Sequence, residues 1–144
     1  MKPRIVIPQV APEAYQAILG LEKYIASTSL NPVHKELIKI RASQINGCAY
    51  CIKMHTADAR KLGVTEERIY LLSAWREADF YSEEERAILA LTEEITLISN
   101  HVSEEVYQNA AKLFDEKYLA ELILAIITIN AWNRIGITTG MRAE

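Results

Sequence analysis

Apolar residues recur at steps of three and four along most of this chain, the spacing of helices that bury one face. In "PEAYQAILGLEKYI" the series Tyr15, Ile18, Leu19, Leu21 and Tyr24 forms such a stripe, and Pro12 suits its opening turn. "NPVHKELIKIRASQI" begins at Asn31-Pro32, sets Val33, Leu37, Ile40 and Gln44 on one face, and breaks at Asn46-Gly47. "CAYCIKMHTADARKL" runs to Gly63, which stands where a C-terminal cap belongs. "TEERIYLLSAW", "SEEERAILALTEEITLI" and "SEEVYQNAAKLF" each open on a hydroxyl residue followed by acids, and Ser82 with Glu85 forms a capping box. The last element, about Glu116 to Ile135, is apolar nearly all round. It reads as too short, and too polar at Glu121 and Asn130, for a membrane span. Burial by its own core and by another subunit is expected instead, with Leu119–Ile129 in the contact. Only "RIVIP" near the start resembles a strand. The pattern therefore predicts an all-α fold, one compact helical domain over residues 1–144, oligomerising through its last helix.

Composition adds limits. At 144 residues, half of them hydrophobic, the chain can bury roughly 68–70% of its unfolded surface and needs no disulfide to fold. A net charge of −3 without a clustered Lys/Arg face argues against nucleic acid and against anionic membranes as partners. The opening "MKPRIVIPQVAPEAY" lacks a signal-length apolar run. A cytoplasmic protein is expected, with its thiols resting reduced.

The chemistry concentrates in "QINGCAYCIKMH", Gln44 to His55, which holds both cysteines and one of three histidines. A bond across three positions restrains the unfolded chain little, so a purely structural disulfide explains the spacing poorly. Asn46-Gly47 ends one helix and Cys48 begins the next, which sets both sulfurs in a first turn whose free N–H groups favour a thiolate. Cys48, Cys51 and His55 then share one stripe. His55, one turn beyond Cys51, can take or relay a proton. Glu36, on the preceding helix folded back alongside, is a fourth group, a partly desolvated carboxylate able to shuttle protons. Such a set fits two-cysteine peroxide chemistry, with Cys51 attacking and Cys48 resolving. Two thiolates, His55 and Glu36 could alternatively bind zinc, although no second Cys/His pair supplies the usual other knuckle. A thioredoxin-like reading lacks its βαβ setting. A non-catalytic helical assembly protein is the third class. Tyr50 reads as a packing aromatic, Trp75 and Trp132 as core or interface residues, and His34 and His101 carry no role.

Glu36 followed by Cys48-x-x-Cys51-x-x-x-His55, within "ASQINGCAYCIKMHTADARKLG", resembles the signature of the alkylhydroperoxidase D-like branch of the carboxymuconolactone decarboxylase family. The likeness extends through "IYLLSAWREADFYSEEERAILALTEE" and "LAIITINAWNRIGI". It implies an all-helical trimer or hexamer that reduces hydrogen peroxide or organic hydroperoxides; no cofactor and no bound metal are expected. A dithiol donor such as a lipoyl-bearing protein would regenerate it. By the same resemblance Cys51 is peroxidatic, Cys48 resolving, and His55 with Glu36 a proton relay. Tyr50 departs from the pattern, since the best-known peroxidase members often carry histidine there.

Overall fold

The structure is a computed structural model that describes residues 4–144. The expected helices form as α2 Pro12–Ser27, α3 Pro32–Asn46, α4 Ala49–Lys61, α5 Glu66–Tyr70, α6 Glu83–Thr96, α7 Glu104–Leu113 and α8 Glu116–Thr139, preceded by a short α1, Ile7–Val10, that the pattern did not predict. "RIVIP" is not a strand: its last two residues open α1, with Pro8 in the first turn, where a missing N–H costs nothing. No strand occurs among the described residues.

Two apolar clusters meet along α3 and α6. Ile38 and Ala42 of α3 join Ile88 and Leu91 of α6 and Leu122, Ile126 and Ile129 of α8. Leu37 and Ile40 of α3 join Leu89 of α6, Ala59 of α4, Leu72 and Trp75. Because α3 is sandwiched, Leu37, Ile38 and Ile40 are all fully buried, where the periodicity had marked a single face. "TEERIYLLSAW" does not form one helix. After Tyr70 the chain tightens into a 3-10 segment, Leu72–Glu77, kinked at Ala74. Three-residue spacing puts Leu72 and Trp75 on the same side, and the Trp75 indole N–H donates to Glu93 at 3.2 Å.

α8 is longer than the pattern suggested, and its 24 residues are long and apolar enough to cross a membrane by length and composition. The reading of this helix as too short for a span is thus corrected. Its polar residues are used within the fold: Asn130 and Asn133 are buried and bond to α3 and α6. His34, near the start of α3, is also buried, and its Nδ1 lies 3.1 Å from the Tyr118 hydroxyl. Burial pushes its imidazole pKa down.

The capping box of α6 is complete, with Ser82 Oγ accepting from the Glu85 amide and Glu85 Oε1 accepting from the Ser82 amide at 2.9 Å. Burial alone would push the Glu85 carboxyl up. The Ser82 amide and the Arg68 guanidinium outweigh it and hold the carboxyl below its ordinary 4.5. With the folded value below the unfolded one, the unfolded chain binds more protons in that window. Glu85 therefore adds stability above about pH 4.5 and loses it as pH falls through the lowered value. Glu85→Gln is expected to be less stable than the parent at neutral pH and to close on it under acid, as read by urea midpoints across pH 3–7. Parallel curves for the two proteins would contradict this.

Candidate functional site

α3 and α4 form an antiparallel pair whose corner is Gly47, in the left-handed region at φ 72°, where a side chain would be strained. The Cys48 amide reaches back to the Ser43 carbonyl at 3.0 Å, closing α3 as the turn begins. Cys48 is the N-cap of α4, and its Sγ accepts from the Cys51 amide at 3.3 Å. The two cysteines are joined to each other, their Cα atoms 5.3 Å apart. The thiols expected to rest reduced are thus found bridged, one end state of the cycle that their spacing suggested.

Neither sulfur faces open solvent, Cys48 being 2% and Cys51 4% exposed. Cys51 nevertheless lines a cavity of about 520 Å³, and Cys48 does not. Tyr15, Leu19, Tyr50, Met54, Trp132 and Ile135 supply its apolar wall, while His55 and Lys39 share it with Cys51. Tyr15 and Trp132 meet edge to face, ring centres 5.6 Å apart. Gly136 of α8 backs the disulfide: a Cβ there would stand 3.5 Å from Cys48 Sγ and 3.9 Å from Cys51 Sγ. Both distances are ordinary van der Waals contacts, so α8 passes close to both sulfurs without the space itself requiring glycine.

The four residues singled out from the sequence form two pairs, Cys48 with Cys51 and Glu36 with His55, and Cys51 and His55 line the same cavity. Glu36 of α3 is buried, and its Oε2 stands 3.3 Å from Nδ1 of His55 on α4. Neither atom completes a hydrogen bond among the described residues. Asp58, one turn after His55, brings Oδ2 within 3.8 Å of the same nitrogen. Donor atoms of Glu36, His55 and Asp58 lie within 4.8 Å of one another, so the set that could approach a cation differs from the cysteine-containing set considered above. Two ammonium groups already serve those carboxylates, Lys39 Nζ at 3.7 Å from Glu36 and Lys61 Nζ at 3.9 Å from Asp58, and they oppose a divalent cation electrostatically.

Residues that sequence reasoning passed over complete the surroundings. Lys39 Nζ lies 3.4 Å from Glu22 of α2, and Glu22 accepts from the Trp132 indole N–H at 2.9 Å. Asn46, the last residue of α3, donates to Asn130 at 2.9 Å and Asn133 at 3.0 Å, and Asn133 donates to Ser43 at 3.0 Å. These bonds pin the cysteine corner to α8. A polar pair three positions apart within an apolar helix, Asn130 and Asn133, was the available signal.

The profile of the carboxymuconolactone decarboxylase family matches residues 12–94, the span from α2 through most of α6. The chain belongs to the carboxymuconolactone decarboxylase family. Within it the chain falls in the alkylhydroperoxidase D-like branch. It is 51% identical over 144 residues to the uncharacterized protein YdfG of Bacillus subtilis strain 168, covering 99% of this chain and 98% of that one. A crystal structure of a protein of unknown function from Agrobacterium tumefaciens, provisionally described as the antioxidant defence protein AhpD, matches with a TM-score of 0.94 at 36% identity, over 99% of both chains. The debrominase Bmp8, without ligand, matches with a TM-score of 0.83 at 25% identity, over 92% of this chain and 72% of that one. Family membership therefore covers proteins with different activities, and the assignment among them rests on the site.

Proposed function

We propose that this family member is a thiol-dependent peroxidase of the alkylhydroperoxidase D type. The observation that carries the reading is that, of two bonded cysteines, only Cys51 lines the cavity. In the reduced protein the Cys51 thiolate attacks the terminal oxygen of a hydroperoxide. The O–O bond breaks, the alcohol or water leaves with a proton, and Cys51 becomes a sulfenic acid. The Cys48 thiol then attacks that sulfur, water departs, and the disulfide forms. His55, whose Nδ1 faces Glu36 Oε2 at 3.3 Å, takes the Cys51 proton and returns it to the leaving oxygen. A dithiol donor, of the kind borne on a lipoyl group, restores both thiols while being oxidised to its own disulfide. Tyr50, at the cavity wall, narrows the approach to Cys51 and carries no proton in this scheme.

The working form is proposed to be a cytoplasmic homo-oligomer, trimer or hexamer, that covers the part of α8 which one chain leaves open. Ile127 is 46% exposed on that helix.

The direct test is intact mass. Reduced protein given one equivalent of hydrogen peroxide or cumene hydroperoxide is expected to lose two hydrogens and one equivalent of oxidant together. Protein that keeps its mass and leaves the peroxide intact would overturn the reading. A brominated aromatic run in parallel separates it from the chemistry that the name of Bmp8 indicates, since the aromatic wall of the cavity would also admit such a molecule.

A further inference from the structure

The disulfide cavity is lined by two cations that the scheme above does not use, Arg4 and Lys39, and Lys39 is the one paired with the carboxylate facing His55. Lys39 is largely buried, its side chain 16% exposed, and its ammonium sits between two carboxylates, 3.4 Å from Glu22 Oε1 and 3.7 Å from Glu36 Oε1. Glu36 is thereby divided, with Oε1 toward Lys39 and Oε2 toward His55 Nδ1. Glu22 is in turn held by Trp132. Trp132, Glu22, Lys39, Glu36 and His55 thus form one run of contacts from the cavity wall to the imidazole beside Cys51.

We propose that Lys39 is a positioning residue: by drawing Glu36 Oε1 to its ammonium it keeps Oε2 turned toward His55 Nδ1, so that the imidazole is steadied with its other ring nitrogen left for Cys51. The proposal rests on the reading of Cys51 as the reacting thiol. Oε2 and Nδ1 stand 3.3 Å apart without completing a hydrogen bond, so a small turn of the ring would make the bond that sets which nitrogen carries the proton. Without Lys39, the Glu36 charge would stand uncompensated in a closed site. The added negative potential would disfavour a second anion on Cys51.

The other charges around Lys39 are balanced in sign. Glu22 faces it from α2, Glu36 and Lys35 from α3, and Asp58 and Lys61 from α4, across a shared groove. Arg4 and His55 face it within the cavity. Lys35 also borders the groove, but no carboxylate pairs with it among the described residues, and Lys61 pairs with Asp58 while 79% exposed. Neither replaces a cation held against Glu36.

The test reads thiol acidity rather than turnover. On a Cys48→Ser background, which leaves one thiol, the rate of Cys51 alkylation by iodoacetamide is measured against pH for Lys39, Lys39→Met and Lys39→Arg. Lys39→Met is expected to move the midpoint upward and to slow alkylation at pH 7 by about three- to tenfold, and Lys39→Arg to restore most of it. In a Glu36→Gln background the Lys39→Met effect is expected to shrink by more than half, because the charge that Lys39 answers is gone. Superimposable profiles, failure of arginine to restore the midpoint, or an effect that keeps half or more of its size with Glu36→Gln would each overturn the proposal. Lys39→Gln carries the same comparison if the methionine variant does not fold. Alkylation needs no oxidant, so this result stands apart from the peroxide test: a protein inert to peroxide can still show or lack the Lys39 shift.

Discussion

Cys51→Ser is expected to abolish peroxide consumption, and Cys48→Ser to consume a single equivalent and stop. The asymmetry follows from access. Cys51 borders the 520 Å³ cavity and stands at the third position of α4, inside the first turn, where unpaired N–H groups favour sulfur in its anionic form. Cys48 caps the same helix, is buried and does not line the cavity. Serine at position 51 leaves a thiol that the oxidant cannot approach through the cavity. The loss should be at least about a thousandfold, since a hydroxyl does not ionise at neutral pH as a thiol does. Serine at position 48 leaves the first step intact and removes the second, so a sulfenic acid accumulates at Cys51, where dimedone traps it one to one. Steady-state assay with excess dithiol and dimedone labelling followed by peptide mapping check both halves. If Cys48→Ser blocked the first oxidation and Cys51→Ser left it intact, the two roles would be exchanged.

The parts of this arrangement that depend on near neighbours in the chain are legible in its residues. Gly47 announces the corner, Ser82 with Glu85 the start of α6, and Cys48, Cys51 and His55 their common stripe. Folding α3 back on α4 then carries Glu36 to His55. Each of these steps spans fewer than twenty residues, and each has a local cause in helix periodicity or turn chemistry. What escaped the sequence depends on partners far away. Glu22 and Trp132 are 110 positions apart, and Asn46 and Asn133 87 apart, and no periodicity pairs them. Lys39 drew no reading because α2, whose Glu22 lies against it, leaves no local mark. α3 was read as one-sided because a helix packed between two layers keeps polar residues at Lys35, Lys39 and Arg41 on the narrow seams between them, and these blur its buried stripes. The stretch after Tyr70 carried helix-like spacing too, and the demands of burying both Leu72 and Trp75 turned it into a tighter coil.

The Asn46–Asn133 contact leads to the second large effect. Asn133→Ala is expected to cost about 2–4 kcal/mol of stability and to lower the melting temperature by roughly 4–12 °C. Asn133 is fully buried and uses both ends of its amide, accepting from Asn46 and donating to Ser43, itself fully buried. Truncation leaves the Ser43 hydroxyl without that donor and opens a small void behind the cysteine corner. Asn46 keeps only its bond to Asn130. Because Asn46 precedes Gly47 and Cys48 directly, the loosened corner should also change how readily the two sulfurs meet. A corner that holds the two thiols together less firmly makes the disulfide easier to reduce. The reduction potential of the pair, titrated against a dithiol buffer, is therefore expected to become less negative than the parent's, while a distant core truncation such as Leu119→Ala lowers the melting point and leaves the potential alone. Thermal melts of the reduced proteins separate the first effect from the second. A melting point within about 1 °C of the parent would mean that the buried amide network contributes little, and that Gly47 alone holds the corner.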